Sequence, residues 1–235
     1  MNYRVAMEIF ERFPGYVRGV VIVHEVANCP SPEPLLALLR EAQASVRERV
    51  SLERIAEEPR IKAWREAYRA FGARPSEFRS SVEALARRVL RGEPLPSINA
   101  LVDIGNLVSL RHLAPAGAHA IDVLKDGLAL RLATGAEEFV PFGSEAIEHP
   151  LAGEIVLADG DTVVTRRWTW RQANHTLTEL STSAVEFNVD GLPPVPAAEI
   201  EQACEEISAL VRRFCGGRLR CQLLSASQPQ IRLVE

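Results

Sequence analysis

This sequence has almost no lysine. Only Lys62 and Lys125 are present, so arginine supplies 25 of the 27 basic side chains. Arginine makes the paired hydrogen bonds that phosphate and carboxylate groups accept, although a GC-rich genome, whose codons favour arginine, explains the same bias. The formal net charge of −4 is unlike that of general nucleic-acid coat proteins, which are basic. Contact with a nucleic acid would therefore depend on a local basic patch.

The sequence also lacks long apolar runs and clustered cysteines. No run approaches the roughly 20 apolar residues that a membrane-spanning helix needs, and the N-terminus lacks the basic-then-apolar pattern of a signal peptide, so we expect a cytoplasmic protein without membrane contact. Four cysteines stand outside any CxxC or CxH pair, and we expect free thiols: Cys29, Cys204, Cys215 and Cys221. Glu138 and Glu154 have no His or Asp at ligand spacing, and we expect neither a metal nor a cofactor.

What is present indicates helices first and strands second. VRGVVIVHEV (17–26) is typical of a strand, and helical spacing follows over 33–58, 61–71 and 76–91, the last with Ser76 as N-cap. Short β-rich runs separated by Gly and Asp then continue to Leu192, before a closing helix and terminal strands. Helices and strands do not alternate regularly, so we predict an α+β fold over a single domain, residues 1–235.

A buried helix is predicted at SINALVDIGNLV (97–108). Ser97 is a good N-cap, and apolar residues occupy most of the circumference. Asn99, Asp103 and Asn106 nevertheless lie at i, i+4 and i+7, so one polar stripe runs along a helix that belongs in the core. These side chains either hydrogen-bond nearby backbone or line a site. We expect Asn99 and Asp103 to hydrogen-bond nearby backbone. For Asn106, that role and a place in the lining of a site are equally consistent with the sequence.

The run RRWTWRQANHT (166–176) places aromatic side chains between arginines, a pattern that suits unpaired bases and phosphates. Alternation of Trp168 and Trp170 is also typical of a core strand. That packing would leave three basic side chains beside a cavity or an RNA surface: Arg167, Arg171 and His175. Arg88 is a further candidate RNA contact, or part of a solvated helix face.

A family resemblance rests on the segment 97–122. The string IN-x-x-VD-x-x-N-x-V, then a proline, then HA-x-D, resembles the signature of the B3/B4 domain in the β-subunit of bacterial phenylalanyl-tRNA synthetase. The matching positions are Ile98, Asn99, Val102, Asp103, Asn106, Val108, Pro115, His119, Ala120 and Asp122. Upstream and downstream segments look like free-standing members of that family, so the resemblance covers about 60–192, with 1–59 and 193–235 packed on that core. It implies a three-layer α+β fold with helices packed on mixed or antiparallel sheets.

The resemblance also implies an editing site that removes tyrosine wrongly joined to the phenylalanine tRNA. The family's catalytic asparagine and histidine fall on Asn106 and His119. A threonine of the family's pocket is Gly105 here, and an arginine is Ala100. Counting puts Asn188 at the place of the glutamate that reads the tyrosyl hydroxyl, with Asp190 and Glu186 nearby. We expect these residues to bind the substrate, together with His175 and Gly105.

Three functions follow as alternatives. The first is a deacylase that hydrolyses mischarged aminoacyl-tRNA in trans, with His119 and Asn106 orienting a water molecule, because neither a GxSxG motif nor a cysteine beside a histidine supplies a nucleophile. The second is a non-catalytic tRNA- or RNA-binding module, since Ala100 and Gly105 lack the family's side chains. The third is a domain that binds a small metabolite in the same cavity. The chain lacks a recognisable ATP-binding synthetase core.

Overall fold

Ten strands and six α-helices form the part of the chain that the computed structural model describes, residues 1–234. The helices are α1 (Met7–Arg12), α2 (Glu33–Arg49), α3 (Pro59–Ala70), α4 (Ser81–Leu90), α5 (Ala100–His112) and α6 (Ala197–Phe214). The strands are β1 (Asn2–Val5), β2 (Val17–His24), β3 (Ala116–Ala120), β4 (Gly127–Leu132), β5 (Ile155–Asp159), β6 (Thr162–Arg166), β7 (Arg171–Gln172), β8 (Ala184–Gly191), β9 (Arg218–Leu224) and β10 (Gln230–Arg232).

The strands form two sheets. The first has the order β10-β1-β4-β5-β6-β7 and is mixed, because β1 and β4 are parallel while the other pairs are antiparallel. The second has the order β3-β8-β2-β9 and is antiparallel throughout. The α+β prediction is confirmed.

Helices α5 and α6 pack on the second sheet, and α2 packs outside α5. The contact between β2 and α6 is close, since a Cβ added to Gly19 would lie 2.2 Å from the Sγ atom of Cys204. The apolar residues of β2 are buried, as the strand's β-branched run predicts. In residues 1–234, no helix combines the length and the apolar composition needed to cross a membrane.

Strand β8 separates an apolar face from a polar one. Val189 is paired with Gly19, which faces α6, so the odd-numbered residues of β8 point to the helices. The even-numbered residues Glu186, Asn188 and Asp190 therefore point to the first sheet, and all three are buried. A strand with this alternation places carboxylates inside the protein, between the two sheets.

Several boundaries differ from the sequence prediction. Helix α4 follows Ser80, not Ser76. Ser76 lies inside a separate turn, in which the carbonyl of Arg74 accepts the N–H groups of Glu77 and Phe78. The N-cap of α5 is Asn99 rather than Ser97. The predicted helix 33–58 ends at Arg49, and only a short 3₁₀ turn follows, at Ile55–Glu57.

The first strand and helix were not predicted. β1 has only four residues, and its partners β4 and β10 lie more than 120 residues along the chain, so no local pattern marks it. The segment after Pro115, which no sequence pattern above assigned to a strand, is strand β3. Its pairing with β8 converts a Gly- and Ala-rich stretch into the edge of the second sheet.

Candidate functional site

Two residues of the polar stripe, Asn99 and Asp103, form hydrogen bonds with backbone groups and with neighbouring side chains. The Asn99 side chain accepts from an N–H of the first turn and donates its Nδ2 to the carbonyl of Thr178 at 2.8 Å. The Asp103 carboxylate is buried and accepts from the hydroxyls of Ser31, at 2.6 Å, and Ser97. These contacts fix the loops on either side of the helix.

Asn106, the third residue of the stripe, is half-buried and lines a cavity of about 700 Å³ with Gly105. The rim of this outer cavity carries exposed apolar side chains: Ile98, Phe142 and Leu180. A volume of this size is typical of sites for small organic ligands. The stripe therefore divides into a structural part and a part that faces a cavity.

A second, inner chamber of about 180 Å³ lies deeper, between the two sheets. The second sheet contributes Arg18, His119 and Asn188, and the first sheet contributes Thr165. The inner chamber and the outer cavity share five lining residues: Ala116, Gly117, Trp170, Arg171 and Gln172. We call these five residues the neck. The site thus has two parts that meet at the neck.

His119 lies in the wall of the inner chamber and is 4% exposed. Its Nδ1 lies 3.0 Å from the Thr176 hydroxyl, and its Nε2 lies 3.2 Å from the Thr165 hydroxyl. The Gln172 amide, 3.1 Å from Nδ1, donates to the carbonyls of Ala118 and Thr176. A hydroxyl can donate or accept, so either neutral tautomer of the ring keeps both contacts. Burial, aided by Arg18, lowers the pKa of His119 to about 3.

Glu186 lies behind His119, on the neighbouring strand. The two residues are paired across β3 and β8, and Glu186 Oε1 lies 4.0 Å from His119 Nε2. The carboxyl is fully buried, and neither of its oxygens has a hydrogen-bond partner in residues 1–234. Burial raises the pKa of Glu186 to about 8, because charging a carboxyl away from water is costly. At pH 7 this carboxyl is therefore mainly protonated.

Arg18 and Asp190 form a buried ion pair at the base of the chamber. Arg18 Nη1 donates to Asp190 Oδ1 at 2.9 Å, and the Tyr16 hydroxyl donates to the same oxygen. Asn188 Nδ2 donates to Asp190 Oδ2 at 3.3 Å. The Oδ1 atom of the same amide is buried and has no hydrogen-bond partner in the described chain. Burial raises the pKa of Asp190, and Arg18 opposes that shift. The chamber therefore has one unused buried acceptor in its wall.

The turn between β6 and β7 is more irregular than a continuous strand. Arg167 and Trp168 have φ values of 45° and 65°, in the left-handed region that non-glycine residues rarely adopt. Trp168 is buried among Phe13, Tyr16, Trp64 and Phe71. The turn reverses the chain so that the next aromatic residue lies at the neck. A strained turn of this kind is common at functional sites.

The candidate RNA-binding residues lie in different environments. Arg167 is buried, with its guanidinium stacked 3.7 Å from the ring centre of Phe78. Arg171 is half-buried at the neck, while His175 is exposed and lines neither part of the cavity. Arg88 is exposed on α4 and donates its Nε to the carbonyl of Pro94. Among these four, Arg171 alone touches both parts of the cavity.

Sequence reasoning missed Arg18, Thr165, Thr176 and Gln172. Arg18 carried a usable signal, because a single arginine inside the β-branched run VRGVVIVH indicates a buried charge that needs a partner. The others come from segments that only the sheet pairing brings to His119. Within residues 1–234, no group of three His, Cys, Asp or Glu side chains could hold a metal ion.

The fold and the site define a class of protein: an α+β domain with two sheets, helices on one of them, and a two-part cavity whose inner chamber lies between the sheets. A family model described as the B3/4 domain matches residues 63–216. The match covers well over half of the chain, and the protein belongs to the B3/4 domain family. The family resemblance inferred from segment 97–122 is confirmed.

Among solved structures, an N-terminal fragment of the phenylalanyl-tRNA synthetase β-subunit from Pyrococcus horikoshii matches with a TM-score of 0.45 and 13% sequence identity. The match covers 92% of this chain and 49% of that fragment, so the chain spans about half the length of the structure it matches. No curated protein matches the chain.

Proposed function

We propose that this protein hydrolyses the ester bond of mischarged aminoacyl-tRNA in trans. The observation that carries the proposal is the two-part cavity, in which an inner chamber of about 180 Å³ and an outer cavity of about 700 Å³ share the residues of the neck. A cavity of about 150 Å³ accommodates a benzene ring, so the inner chamber suits one amino-acid side chain. The outer cavity suits the terminal nucleoside. The ester that joins the two would lie at the neck.

The residues on the two sides of the neck suit water attack on that ester. Asn106 lines the outer cavity and His119 the inner chamber, so polar groups approach the ester from both directions. A pKa near 3 makes His119 a weak base but a good hydrogen-bonding group at pH 7. We therefore assign His119 the role of positioning water or substrate by hydrogen bonds. Polar groups held in fixed positions contribute to catalysis in this way.

A protein nucleophile is less consistent with the geometry. None of the four cysteines lines either part of the cavity within residues 1–234. The Thr165 hydroxyl is 3.2 Å from His119 Nε2, the spacing of a nucleophile and its base. A histidine with a pKa near 3 cannot remove a hydroxyl proton efficiently at neutral pH, so water is the better nucleophile.

A second candidate, a non-catalytic RNA-binding module, is favoured by one observation. The weak basicity of His119 is also what a histidine retained for its hydrogen bonds alone would show. In that case the cavity would hold the end of an RNA without breaking a bond. The two candidates differ in turnover, which can be measured directly.

The test is hydrolysis of tyrosine-charged phenylalanine tRNA by the purified protein, with correctly charged tRNA alongside. We expect selective release of tyrosine, reduced about 100-fold or more in Asn106→Ala and in His119→Asn. His175→Asn is the matched control, because this histidine is exposed and lines neither part of the cavity. Absence of release from either substrate, with protein in excess over tRNA, would contradict the deacylase and leave the RNA-binding module.

A further inference from the structure

The charge of this acidic protein is strongly segregated along the chain. Residues 60–92 carry nine basic and three acidic side chains, a formal net charge of +6. The other residues carry eighteen basic and twenty-eight acidic side chains, a formal net charge of −10. The basic segment contains α3, the following loop and α4, so the positive charge is concentrated on one part of the fold.

A groove of about 420 Å³ lies on this basic segment, at the end of α3. Three arginines line it, Arg65, Arg69 and Arg74, together with residues of the loop 72–76. Arg65 and Arg69 are one helical turn apart on the same face of α3. Among the described residues that line the groove there is no acidic side chain. We call this feature the arginine groove.

The three guanidinium groups at the arginine groove differ in their ion pairs. Arg74 Nη1 lies 2.9 Å from Oε1 of the exposed Glu77, whereas Arg65 shares its carboxylate with other arginines. Glu83 is fully buried and accepts from Arg65 Nη1 at 2.8 and 3.1 Å and from Arg87 Nε at 2.8 Å, with Arg79 Nε at 4.0 Å. One carboxylate thus serves three arginines and fixes their orientation. Arg69 is exposed and has no ion-pair or hydrogen-bond partner in residues 1–234.

The loop at the arginine groove is linked to the neck of the cavity by a contact between two aromatic rings. The loop that lines the groove continues to Phe78, whose ring packs edge-on against Trp170, 4.9 Å between ring centres. Trp170 belongs to the neck. The next helix begins there too, since Ser81 lines the inner chamber and its N–H donates to the carbonyl of Thr169. A polymer whose end occupied the cavity would pass over Phe78 toward the groove.

We infer that the arginine groove binds the phosphate backbone of an RNA whose 3′ end occupies the cavity. Guanidinium groups pair with phosphate oxygens through two parallel hydrogen bonds, and arginines held by a buried carboxylate lose little freedom on binding. The inference deepens the proposed function, on which the identity of the RNA as tRNA rests. The link from the groove loop through Phe78 to Trp170 at the neck favours a nucleic acid over an acidic protein surface, which would need no path to the neck.

Binding of uncharged, fluorescently labelled phenylalanine tRNA by the full chain tests the inference without requiring turnover. The double variant Arg69→Gln, Arg74→Gln removes two exposed guanidiniums and leaves the Glu83 cluster intact. We expect binding to weaken roughly 10- to 30-fold at 0.15 M salt, and the slope of log affinity against log salt to fall by about 1.5 to 2. The double variant to lysine should retain part of the affinity, because charge remains while paired contacts are lost.

The matched control is Arg212→Gln, Arg213→Gln, which makes the same change in net charge on α6, on the helical side of the second sheet. It should weaken binding no more than about twofold, through screened long-range attraction alone. Equal effects of the two double variants, or absence of tRNA binding by the wild-type protein, would overturn the inference. Groove-dependent binding without deacylation would sustain the inference while the proposed function fails, so the two failures are distinguishable.

Discussion

Burial sets the protonation of the side chains that lie between the two sheets. His119 is neutral at pH 7, Glu186 is mainly protonated, and Arg18 is paired with Asp190. The interior of the site is therefore close to electrically neutral. A charged group of a ligand would enter a region with no free counter-charge, so the inner chamber suits a neutral polar side chain.

The first prediction concerns Glu186. Its pKa is about 8 in the folded protein and near 4.5 when exposed. Between pH 4.5 and pH 8 the folded state therefore binds one proton more than the unfolded state. The contribution of the protonated Glu186 to the free energy of unfolding is therefore full below pH 4.5. It is lost as the pH rises to 8, because the carboxyl then ionises readily in the unfolded state. Glu186→Gln keeps the shape but cannot ionise. We expect it to raise the free energy of unfolding by about 2–4 kcal/mol at pH 8 and to change it little at pH 4.5.

Urea unfolding of the wild type and of Glu186→Gln across this pH range measures the effect. Glu201→Gln, which removes one carboxylate from the exposed face of α6, is the control. A gain that is the same at pH 4.5 and at pH 8 would mean that Glu186 does not titrate in this interval.

At the scale of elements, two glycines differ in how closely a neighbouring element approaches them. Gly105 lies inside α5 and faces the outer cavity, where an added Cβ would meet nothing within 4 Å. Gly19 lies on β2, where an added Cβ would lie 2.2 Å from Cys204 Sγ and 3.0 Å from Ile200 Cγ2. Neither glycine has the positive φ that disfavours other residues. The two positions therefore differ only in the space available for an added side chain.

The second prediction pairs Gly105→Ala with Gly19→Ala. The first should stabilise the protein by about 0.5–1 kcal/mol, because alanine reduces the backbone entropy lost when the helix forms. The second should destabilise it by about 1–3 kcal/mol, because β2 and α6 must move apart. Chemical unfolding measures both, and changes of the same sign would contradict the packing described for these elements.

At the scale of the whole molecule, the family match and the fold do not coincide. The match covers 63–216, yet β2 lies between β8 and β9 in the second sheet and carries Arg18 into the inner chamber. Residues before and after the match thus complete both the sheet and the site. The hydrophobic core likewise joins residues from Tyr3 to Leu233.

The third prediction is that a fragment limited to 63–216 does not fold alone. It would lack β2 and β9, so β8 would keep only β3 as a partner, and Asp190 would be left without Arg18. Loss of one partner of a buried ion pair costs about 3–5 kcal/mol, which is comparable to the stability of many domains. Far-UV circular dichroism and urea unfolding of the fragment, with the full chain as control, measure this. A cooperative unfolding transition in the fragment would disprove it.

Much of the fold was predictable because its signals are local. The β-branched run of β2, the apolar circumference of α5 and the turn residues between later strands each lie within a short window of sequence. The order of residues in 97–122 indicated the family, and the family model agrees. Helix starts were less accurate, since several polar residues near each start could cap, and the turn at Arg74 determines which one does.

The sequence by itself determined the α+β class, the family, and the place of Asn106 and His119 in an order of residues that resembles the family's signature. Only the tertiary structure decided that these two side chains lie in different parts of one cavity, that Arg18 borders the inner chamber with Glu186 behind His119, and that His119 is neutral. The physical reason is that class and family follow from local patterns. Burial, strand pairing and pKa shifts depend on residues such as Tyr16 and Asp190, which are far apart in the chain and adjacent only after folding.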